Sequence, residues 1–512
     1  MQTRGRMVLL VALVLGVLGD YVLRASMWRL GFSLFIILAA LGAAFVGGRG
    51  QRDRTILLGG LVLAAIGLAL RDSPFLYAID FLSILCTGAL IVWLGSGKRI
   101  ADLTVVQTGR AFVFGPLMLA FGAAGAIRDG GSNSTDEAAA AERGRRAKLL
   151  AIGAVLAIPP LLIVTGLLAS SDQVFEQFVD YVGDFLANKA IQHFLVIGAL
   201  TWAGAGWLRG ATGGSKDIPV PEDANIGAPF LALSVALYGL TALLTLYMGV
   251  QLRALFGGTE YLMATTGLTV AEYARRGFFE LVVASGIVLA TLVAAEWALA
   301  PTDEDGRKRY RHVGTMLVVL VAMLMVSAAT RMGLYVGSFG LTVDRVTATT
   351  VMVFVAAAVV TFALTTLRGR TASFGPAMLA VTIAWVIALN VLNLEAMIVR
   401  VNVARALAGE ETETITGDSR SHDAVTTVAR RFDEAYHAKL SADALPALLA
   451  AAPTLPAADC AVLATELERN WGRALYDDAG QPRRDWRGID LAYRYARTWY
   501  AAGALTPCAR TD

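Results

Sequence analysis

Histidine, cysteine and charged residues are all scarce in this chain. Its 512 residues include 4 histidines and 3 cysteines, and only 17% are Asp, Glu, Lys or Arg. No His-x-x-x-His or Cys-x-x-Cys spacing occurs, and such spacings are typical of zinc sites. The net charge of +3 is too small to indicate nucleic-acid binding. We therefore predict no metal, no cofactor and no nucleic-acid partner.

Motifs for nucleotide binding and nucleophilic catalysis are also missing. The Gly-Ser-Gly-Lys run at 95–98 resembles the end of a phosphate-binding loop, but Arg99 follows the lysine and Val92 occupies the position of the first glycine. The Gly-Ser-Phe-Gly run at 337–340 lacks the spacing of a nucleophile elbow. We predict no catalytic residues.

Long apolar segments dominate the chain up to about residue 394, and hydrophobic residues make up 56% of it. A bilayer core is ~30 Å thick, so a helix of ~20 apolar residues crosses it. The pattern predicts an all-α polytopic transmembrane bundle of about eleven spans with a soluble helical C-terminal domain. The predicted spans are 7–23, 30–48, 55–70, 75–95, 148–169, 192–208, 228–250, 277–300, 313–330, 347–367 and 374–394.

Arginine and lysine in the loops predict the orientation of the spans, because cytoplasmic loops collect these residues. The basic loops lie at 4–6, 49–54, 98–99, 143–148, 307–311 and 368–370. All of them can be cytoplasmic only if the further apolar segment 112–127 does not cross the membrane. We therefore predict a re-entrant or interfacial helix at 112–127, a cytoplasmic N-terminus and an extracytoplasmic C-terminal domain. In the alternative, 112–127 is a twelfth span and the first four spans are inverted.

Composition divides the chain into four regions. They are N-terminal transmembrane helices (1–100), the interfacial or re-entrant segment with a cytoplasmic linker (101–147), the main transmembrane region (148–400) and the extracytoplasmic domain (401–512). Helices in the last region are predicted near 421–438, 442–451, 457–473 and 486–502. Arginine far outnumbers lysine, and alanine and glycine are abundant. This composition suggests a protein of the bacterial plasma (inner) membrane.

Several segments of the chain resemble a bacterial membrane family. They are 251–258 (Gln-Leu-Arg-Ala-Leu-Phe-Gly-Gly), 269–281 (Thr-Val-Ala-Glu-Tyr-Ala-Arg-Arg-Gly-Phe-Phe-Glu-Leu), 331–335 (Arg-Met-Gly-Leu-Tyr), 339–342 (Phe-Gly-Leu-Thr), Asn393 and Asn402. Over about 230–405 the chain resembles domain of unknown function 4173, which has a sister family, 4153. The similarity continues at 440–448 and 485–487, whereas Leu394 replaces a proline of the family pattern. The resemblance implies a polytopic bacterial membrane protein, and it supplies no activity and no site residue.

Ionisable residues inside the spans are candidates for function, because each costs roughly 3 kcal/mol to insert. In the predicted topology Asp20, Asp80, Glu280 and Arg331 lie near external span ends, which permits a contact between Glu280 and Arg331. Glu296 lies near a cytoplasmic span end, where a carboxylate reaching the interface is favoured over proton coupling. The predicted polar site consists of Tyr273, Arg275, Arg276, Glu280, Arg331 and Tyr335. The favoured alternative is that these residues anchor the protein at the interface.

The C-terminal domain offers two further predictions. Cys460 and Cys508 are its only cysteines, and in an extracytoplasmic compartment they can form a disulfide. Aromatic residues alternate with arginine between 486 and 500 and can bind a glycan, an envelope protein or lipid headgroups. Aromatic core packing is the favoured explanation of the same residues.

Three functions are compatible with these features. The favoured one is a non-enzymatic envelope scaffold or sensor, which presents the extracytoplasmic helical domain to a protein or glycan partner. The alternative is a secondary transporter or lipid flippase with a polar site at the outer leaflet. A membrane-embedded enzyme is third. The lipid bilayer is the one partner that the composition itself requires.

Overall fold

The computed structural model describes two compact units of the chain. The described residues are 2–24, 30–47, 52–131, 188–213, 226–256, 278–409, 412–416, 426–430 and 432–472, with single positions between 157 and 181 and at 494, 497, 498 and 508. Unit 1 comprises Met1–Leu70, Ala78–Val220 and Asp485–Asp490. Unit 2 comprises Arg71–Tyr77, Pro221–Arg484 and Leu491–Asp512.

Unit 1 is built from long apolar helices. They are α1 (Gln2–Leu23), α2 (Leu30–Gly47), α3 (Arg52–Leu70), the part of α4 (Pro74–Leu94) from residue 78 onward, α5 (Val105–Gly131) and α6 (Lys189–Ala211). Small residues let α5 and α6 approach closely, since a Cβ added to Gly122 would lie 2.8 Å from the Cα of Gly206. A helix suits these apolar sequences because it satisfies its own backbone N–H and C=O groups in hydrocarbon.

Helix α5 contains the apolar segment whose crossing decides between the predicted topologies. It bends by 51° between Val105–Val113 and Gly115–Asp129. Pro116 lies just after the bend. Proline lacks the backbone N–H and clashes with the carbonyl four residues earlier, which explains a bend at this place. Such a bent helix is either one broken span or a re-entrant segment, so the eleven-span and twelve-span topologies both stay predictions.

Unit 2 is a second bundle of apolar helices. They are α7 (Phe230–Phe256), α8 (Phe278–Ala298), α9 (Glu304–Phe339), α10 (Val343–Thr365), α11 (Phe374–Leu392) and α12 (Leu394–Leu407). Helix α9 has 36 residues, which makes it ~54 Å long at 1.5 Å per residue. The side chains of Leu237, Leu292, Leu317 and Phe362 lie in one buried apolar cluster that joins α7, α8, α9 and α10.

Ten helices in the described part of the chain are long and apolar enough to cross a membrane, namely α1 to α4 and α6 to α11. Most of their ends lie within a few residues of the predicted span ends, although α9 extends nine residues beyond its predicted span at each end. This agreement confirms the all-α polytopic membrane class. The predicted span 148–169 falls largely outside the described residues.

The C-terminal region departs from the prediction at one place. The predicted helix 421–438 is wrong over its middle, where strand β2 (Thr426–Arg430) pairs antiparallel with β1 (Thr412–Thr416). The β-branched run Thr-Thr-Val in β2 explains the difference, because such residues lose side-chain freedom in a helix and favour strands. The helices that follow are α13 (Glu434–His437), α14 (Leu445–Ala451) and α15 (Ala457–Trp471). The predicted helix 486–502 lies mostly outside the described residues.

Candidate functional site

A dense group of polar contacts in unit 2 lies where residues 441–443 meet the ends of three helices. Residues 71–73 lead into α4, and residues 390–395 contain the end of α11 and the start of α12. Residues 441–443 immediately precede α14 and its N-cap. We call these three segments together the junction.

Asp443 is the central residue of the junction. Its carboxylate oxygen Oδ2 accepts hydrogen bonds from the backbone N–H groups of Asp72, at 2.9 Å, and Ser73, at 3.2 Å. These N–H groups directly precede α4, where the helix dipole favours negative charge. The side chain is 4% exposed. Asp443 therefore serves α4 as a capping carboxylate supplied from the C-terminal region.

The backbone of residues 441–443 is held in return by three side chains. Asp72 Oδ2 accepts from the Ala442 N–H at 3.0 Å, and Glu395 Oε2 accepts from the Ser441 N–H at 2.7 Å. Asn393 Nδ2 donates to the carbonyl of Asp443 at 3.1 Å. The segment is thus bonded to the start of α4 and to the start of α12 at the same time.

Asn393 also shapes the turn from α11 to α12. Its φ of 44° is in the left-handed region, and it is the one non-glycine residue with positive φ in the described part of the chain. Asparagine tolerates this conformation better than most residues. Its Oδ1 accepts from the Ala396 N–H at 3.1 Å and so caps α12. One residue therefore ends one helix, begins the next and holds the Asp443 backbone.

Arg71 supplies the positive charge of the junction. Its Nε donates to the carbonyl of Asn390 at 2.8 Å, near the C-terminal end of α11. Its Nη1 lies 3.8 Å from Oδ1 of Asp443. A cation at a helix C-terminus interacts favourably with the dipole and with the carbonyls left unpaired there. Arg71 therefore stabilises α11 and Asp443 together.

Three carboxylates take part in the junction, those of Asp72, Glu395 and Asp443, and Arg71 lies beside Asp443. Burial and the nearby Glu395 carboxylate raise the pKa of Asp443 to about 6. The Asp72 and Ser73 N–H groups and Arg71 act in the opposite direction. The raised pKa means that the junction holds the protonated form of Asp443 more readily than water does.

A second set of contacts holds the turn between α9 and α10, at 340–342. The amide of Asn402 donates to the carbonyl of Leu341 at 2.8 Å and accepts from the Leu341 N–H at 2.9 Å. Tyr436 Oη accepts from the Val343 N–H at 2.7 Å. Burial raises the pKa of Tyr436 to about 12. Tyr436 therefore stays neutral at ordinary pH, and residues of α12 and α13 together fix this turn.

His437 belongs to this second set of contacts through Asn402. Its Nε2 lies 3.0 Å from Asn402 Nδ2, and its Nδ1 lies 2.6 Å from the carbonyl of Asp433. These partners assign the proton to Nδ1, because an amide NH₂ donates and a carbonyl accepts. The ring is 3% exposed and stacks on Phe432 with 4.2 Å between centroids. Burial lowers the pKa of His437 and so favours the neutral imidazole.

Two arginines cap the C-terminal end of α9. Arg345 Nη1 donates to the carbonyls of Phe339, at 2.7 Å, and Gly340, at 2.6 Å. Its guanidinium carbon lies 4.2 Å from the centre of the Tyr335 ring. Arg405 donates to the carbonyls of Val336 and Gly337. Three of the last four carbonyls of α9, those of Val336, Gly337 and Phe339, are thereby paired.

The residues of the predicted polar site separate into four groups, of which Arg331 forms one by itself. Tyr273, Arg275 and Arg276 lie outside the described residues. Glu280 is exposed near the start of α8, and no ion pair joins it to Arg331 in the described part of the chain. Tyr335 lies under Arg345.

Arg331 belongs to a polar chain inside the apolar core of unit 2. It is 7% exposed and donates from Nη2 to Gln251 Oε1 at 3.1 Å. Gln251 in turn donates from Nε2 to Tyr247 Oη at 2.6 Å. A buried guanidinium requires such partners, because an unpaired charge in the core is strongly destabilising. The chain links α7 and α9.

The intramembrane acids are placed as follows. In unit 1, Asp20 accepts from Arg24 Nε at 2.9 Å and contacts the ring of His193. Asp80, also in unit 1, is fully buried. In unit 2, Glu296 accepts from Arg307 Nη1 at 3.2 Å. These contacts compensate the charges of Asp20 and Glu296, as expected of carboxylates in an apolar bundle.

The cysteines of the C-terminal domain are joined in the structure. Cys460, in α15, and Cys508 form a disulfide with a Cα–Cα distance of 5.2 Å and a sequence separation of 48. Both residues are buried. Among the described residues, no three His, Cys, Asp or Glu side chains come together as a metal site.

The fold and the junction define a polytopic helical membrane protein whose C-terminal segment is bonded to its own helix ends. The family described as "Domain of unknown function (DUF4153)" matches residues 58–451, and the chain belongs to this family. The match begins in α3 and extends through the whole junction. The match is thus wider than the resemblance over about 230–405, and the matching family is 4153, the sister of family 4173. Membership of family 4173 and bacterial origin stay predictions. No curated protein and no solved structure matches the chain.

Proposed function

We propose that this protein is a non-enzymatic membrane scaffold or sensor, in which the C-terminal segment 432–472 is coupled to the ends of membrane helices. The observation that carries the proposal is the junction. There the side chains of Asp72, Asn393 and Glu395 hold the backbone of residues 441–443. The segment and the helix ends therefore have to change position together.

The burial of the junction strengthens this argument. A domain on a flexible tether needs no buried polar contacts with the helices that precede it. Glu395 and Asp443 are nevertheless 3% and 6% exposed. Removing carboxylates from water costs free energy unless their hydrogen bonds are replaced, so these contacts favour one arrangement of the segment. A partner that displaces the segment has to alter the ends of α4, α11 and α12, and the reverse holds by linkage.

The proposed position of the segment is extracytoplasmic, in the bacterial inner membrane. The disulfide between Cys460 and Cys508 supports this position, because disulfides persist in oxidising compartments. In that position the segment is available to an envelope protein or a glycan, which is the partner class that the proposal requires.

Photo-crosslinking from α15 tests the proposal. Val462, 50% exposed, and Thr465 and Glu468, both exposed, each receive a photoreactive residue in the full-length protein. We expect a discrete adduct with an envelope component from at least one of these positions. In an Asp443→Ala background at matched abundance, the adduct yield should fall several-fold. The absence of an adduct from all three positions would contradict the proposal.

Thiol labelling tests the proposed orientation separately. Intact cells carrying a Cys86→Ala variant are treated with an impermeant maleimide, before and after reduction. We expect Cys460 and Cys508 to be labelled from outside only after reduction. Labelling that needs cell lysis and no reduction would place the segment in the cytoplasm and overturn this part of the proposal.

A secondary transporter or lipid flippase is the second candidate, and the Arg331–Gln251–Tyr247 chain favours it. Buried polar groups inside candidate spans are typical of substrate and ion pathways. An Arg331→Gln variant, assayed with Glu280→Gln and Asp80→Asn, should then lose uptake or efflux of the transported compound at unchanged abundance. Unchanged flux of every compound class tested would exclude this candidate.

A further inference from the structure

Three arginines come together at the end of unit 2 where α9 begins. Arg311 lies in the third turn of α9, and Arg368 and Arg370 lie in the turn between α10 and α11. All three side chains are exposed. We call them the guanidinium cluster.

The backbone of the α10–α11 turn brings the cluster together. Gly369, with φ +80°, separates Arg368 from Arg370, and a Cβ added to it would lie 3.0 Å from Nη2 of Arg311. A side chain at Gly369 would therefore crowd the Arg311 guanidinium. The turn itself is closed by the Gly369 N–H, which donates to the carbonyl of Thr366 at 3.0 Å. The Arg311 guanidinium thus lies against the backbone of the turn, at the residue between Arg368 and Arg370.

The carboxylates near the cluster are engaged elsewhere. Asp303 accepts from the N–H groups of Phe230 and Gly306, Glu296 pairs with Arg307, and Asp305 pairs with Lys308. Glu304 lies in the first turn of α9 and forms no ion pair in the described part of the chain. Over the same part, no carboxylate lies within ion-pair distance of Arg311, Arg368 or Arg370. The cluster therefore presents three exposed guanidinium groups that form no ion pair in the described part of the chain, although Glu296 attracts Arg311 from a longer distance.

The position of the cluster indicates what kind of anion it meets. Helix α10 ends at Thr365 and α11 begins at Phe374, and both are candidate spans, so the turn between them lies at a membrane boundary. Phosphate groups of lipids occupy that level. The guanidinium fork matches phosphate oxygens in two parallel hydrogen bonds, and basic clusters beside spans attract anionic lipids.

We propose that Arg311, Arg368 and Arg370 form a binding site for the phosphate of an anionic phospholipid. Exposed apolar side chains one turn further along each helix favour a lipid over free phosphate. Leu364, before Arg368, is 47% exposed, and Met316, after Arg311, is 49% exposed. An acyl chain can lie on them while the phosphate contacts the arginines. This site is independent of the proposed scaffold or sensor function.

Binding of defined lipids to the purified protein tests the site. The full-length protein in nanodiscs or detergent is titrated with phosphatidylglycerol, with phosphatidylcholine and with inorganic phosphate, and lipid binding is followed by native mass spectrometry. The test variant is R311Q/R368Q/R370Q. The matched control, K98Q/R99Q/R469Q, also removes three exposed cations, among them two that follow a candidate span.

We expect the triple variant to lose phosphatidylglycerol affinity at least tenfold, while the control stays within twofold of the wild type. Phosphatidylcholine should bind equally to all three proteins. Wild-type affinity in the triple variant would overturn the site, and equal competition by inorganic phosphate would overturn its assignment to lipid. If the triple variant does not fold, R368Q and R370Q are tested singly, each with an expected loss of twofold to fivefold; no loss in either would also overturn the site.

Discussion

The two ends of α9 use arginine in opposite ways. At the C-terminal end, Arg345 and Arg405 donate to backbone carbonyls of the chain itself. At the N-terminal end, Arg311 lies with Arg368 in an exposed cluster that has no carboxylate at ion-pair distance in the described part of the chain. At the first end, the backbone carbonyls are paired with arginines of α10 and α12. At the N-terminal end of α9, the exposed arginines are available to an external partner.

The C-terminal end of α9 is bonded to other helices of the chain, whereas the N-terminal end is open to external binding. Substitutions at the junction, or at the turn that follows α9, should reduce the stability of the docked segment, because they leave buried partners unpaired. Substitutions at the basic end should leave stability nearly unchanged, because exposed charges contribute little to it.

The largest effect is expected for Asp443→Ala. The change leaves the N–H groups of Asp72 and Ser73 and the charge of Arg71 without their buried partner. We expect the docking free energy of segment 432–472 to fall by about 3 kcal/mol. Native-state proteolysis of the full-length protein in detergent measures this fall.

The matched control for this variant is Asp459→Ala. Asp459 is a half-exposed carboxylate in the first turn of α15, in the same segment. We expect a change below about 0.5 kcal/mol. Equal protease sensitivity of Asp443→Ala and the wild type would show that the junction does not hold the segment.

Asn402→Ala should have the next largest effect. It removes both hydrogen bonds to the backbone of Leu341 and the contact with His437. We expect a loss of about 2 kcal/mol, because buried backbone groups are left unsatisfied. Thermal unfolding in detergent measures it, with Asn470→Ala on the exposed face of α15 as the control. If the unfolding free energy falls no more than in the control, the hydrogen bonds of Asn402 do not stabilise this turn.

The effect of pH on the docking of segment 432–472 is expected to be smaller than that of Asn402→Ala. The titration of Asp443 should weaken docking as pH rises. The pKa of Asp443 rises from 3.8 to about 6 on burial, so its contribution to stability is complete below pH 3.8 and is lost as pH rises through 6. Arg71, Asp72 and Glu395 are the charged groups that face it. His437, whose pKa is lowered, acts in the opposite direction, because its contribution is lost as pH falls below 6.5.

A difference between two proteins isolates the Asp443 contribution. Between pH 5 and 7, the wild type should lose about 1 kcal/mol of docking stability relative to Asp443→Asn, which cannot ionise. Proteolysis rates of both proteins at several pH values provide the measurement. Parallel pH profiles for the two proteins would mean that Asp443 does not titrate in this range.

The smallest effect is expected at the basic end. Lys308 pairs with Asp305 at 3.2 Å, and both side chains are largely exposed. Lys308→Ala should change the unfolding free energy by less than about 0.5 kcal/mol, because water and salt screen such pairs. Thermal unfolding checks this value. If Lys308→Ala lowers the unfolding free energy as much as Asn402→Ala does, polar contacts at the two ends of α9 do not differ in their contribution to stability.

The sequence predicted the membrane helices well, because continuous apolar runs of the right length have few alternatives to a spanning helix. It also supplied local signals for the junction. Ser73 before Pro74 is typical of a helix start, and Asn393 and Asn402 stand in the segments that carry the family resemblance. What these residues contact could not be predicted, because Asp72 and Ala442 are 370 positions apart. The hairpin of β1 and β2 was not predicted. Thr426 and Thr427 favour a strand, but the residues around them have a pattern typical of a helix.

The order of synthesis gives the Asp443 contact a further consequence. Ser73 and Asp443 are separated by 370 residues. A ribosome that adds about 5–20 residues per second needs roughly 20–70 seconds to make the chain between them. During that time the residues before α4 lack the carboxylate that later caps them, and a product truncated before residue 443 lacks it permanently. The contact therefore distinguishes complete chains from incomplete ones, and the cell's proteases can act on that difference.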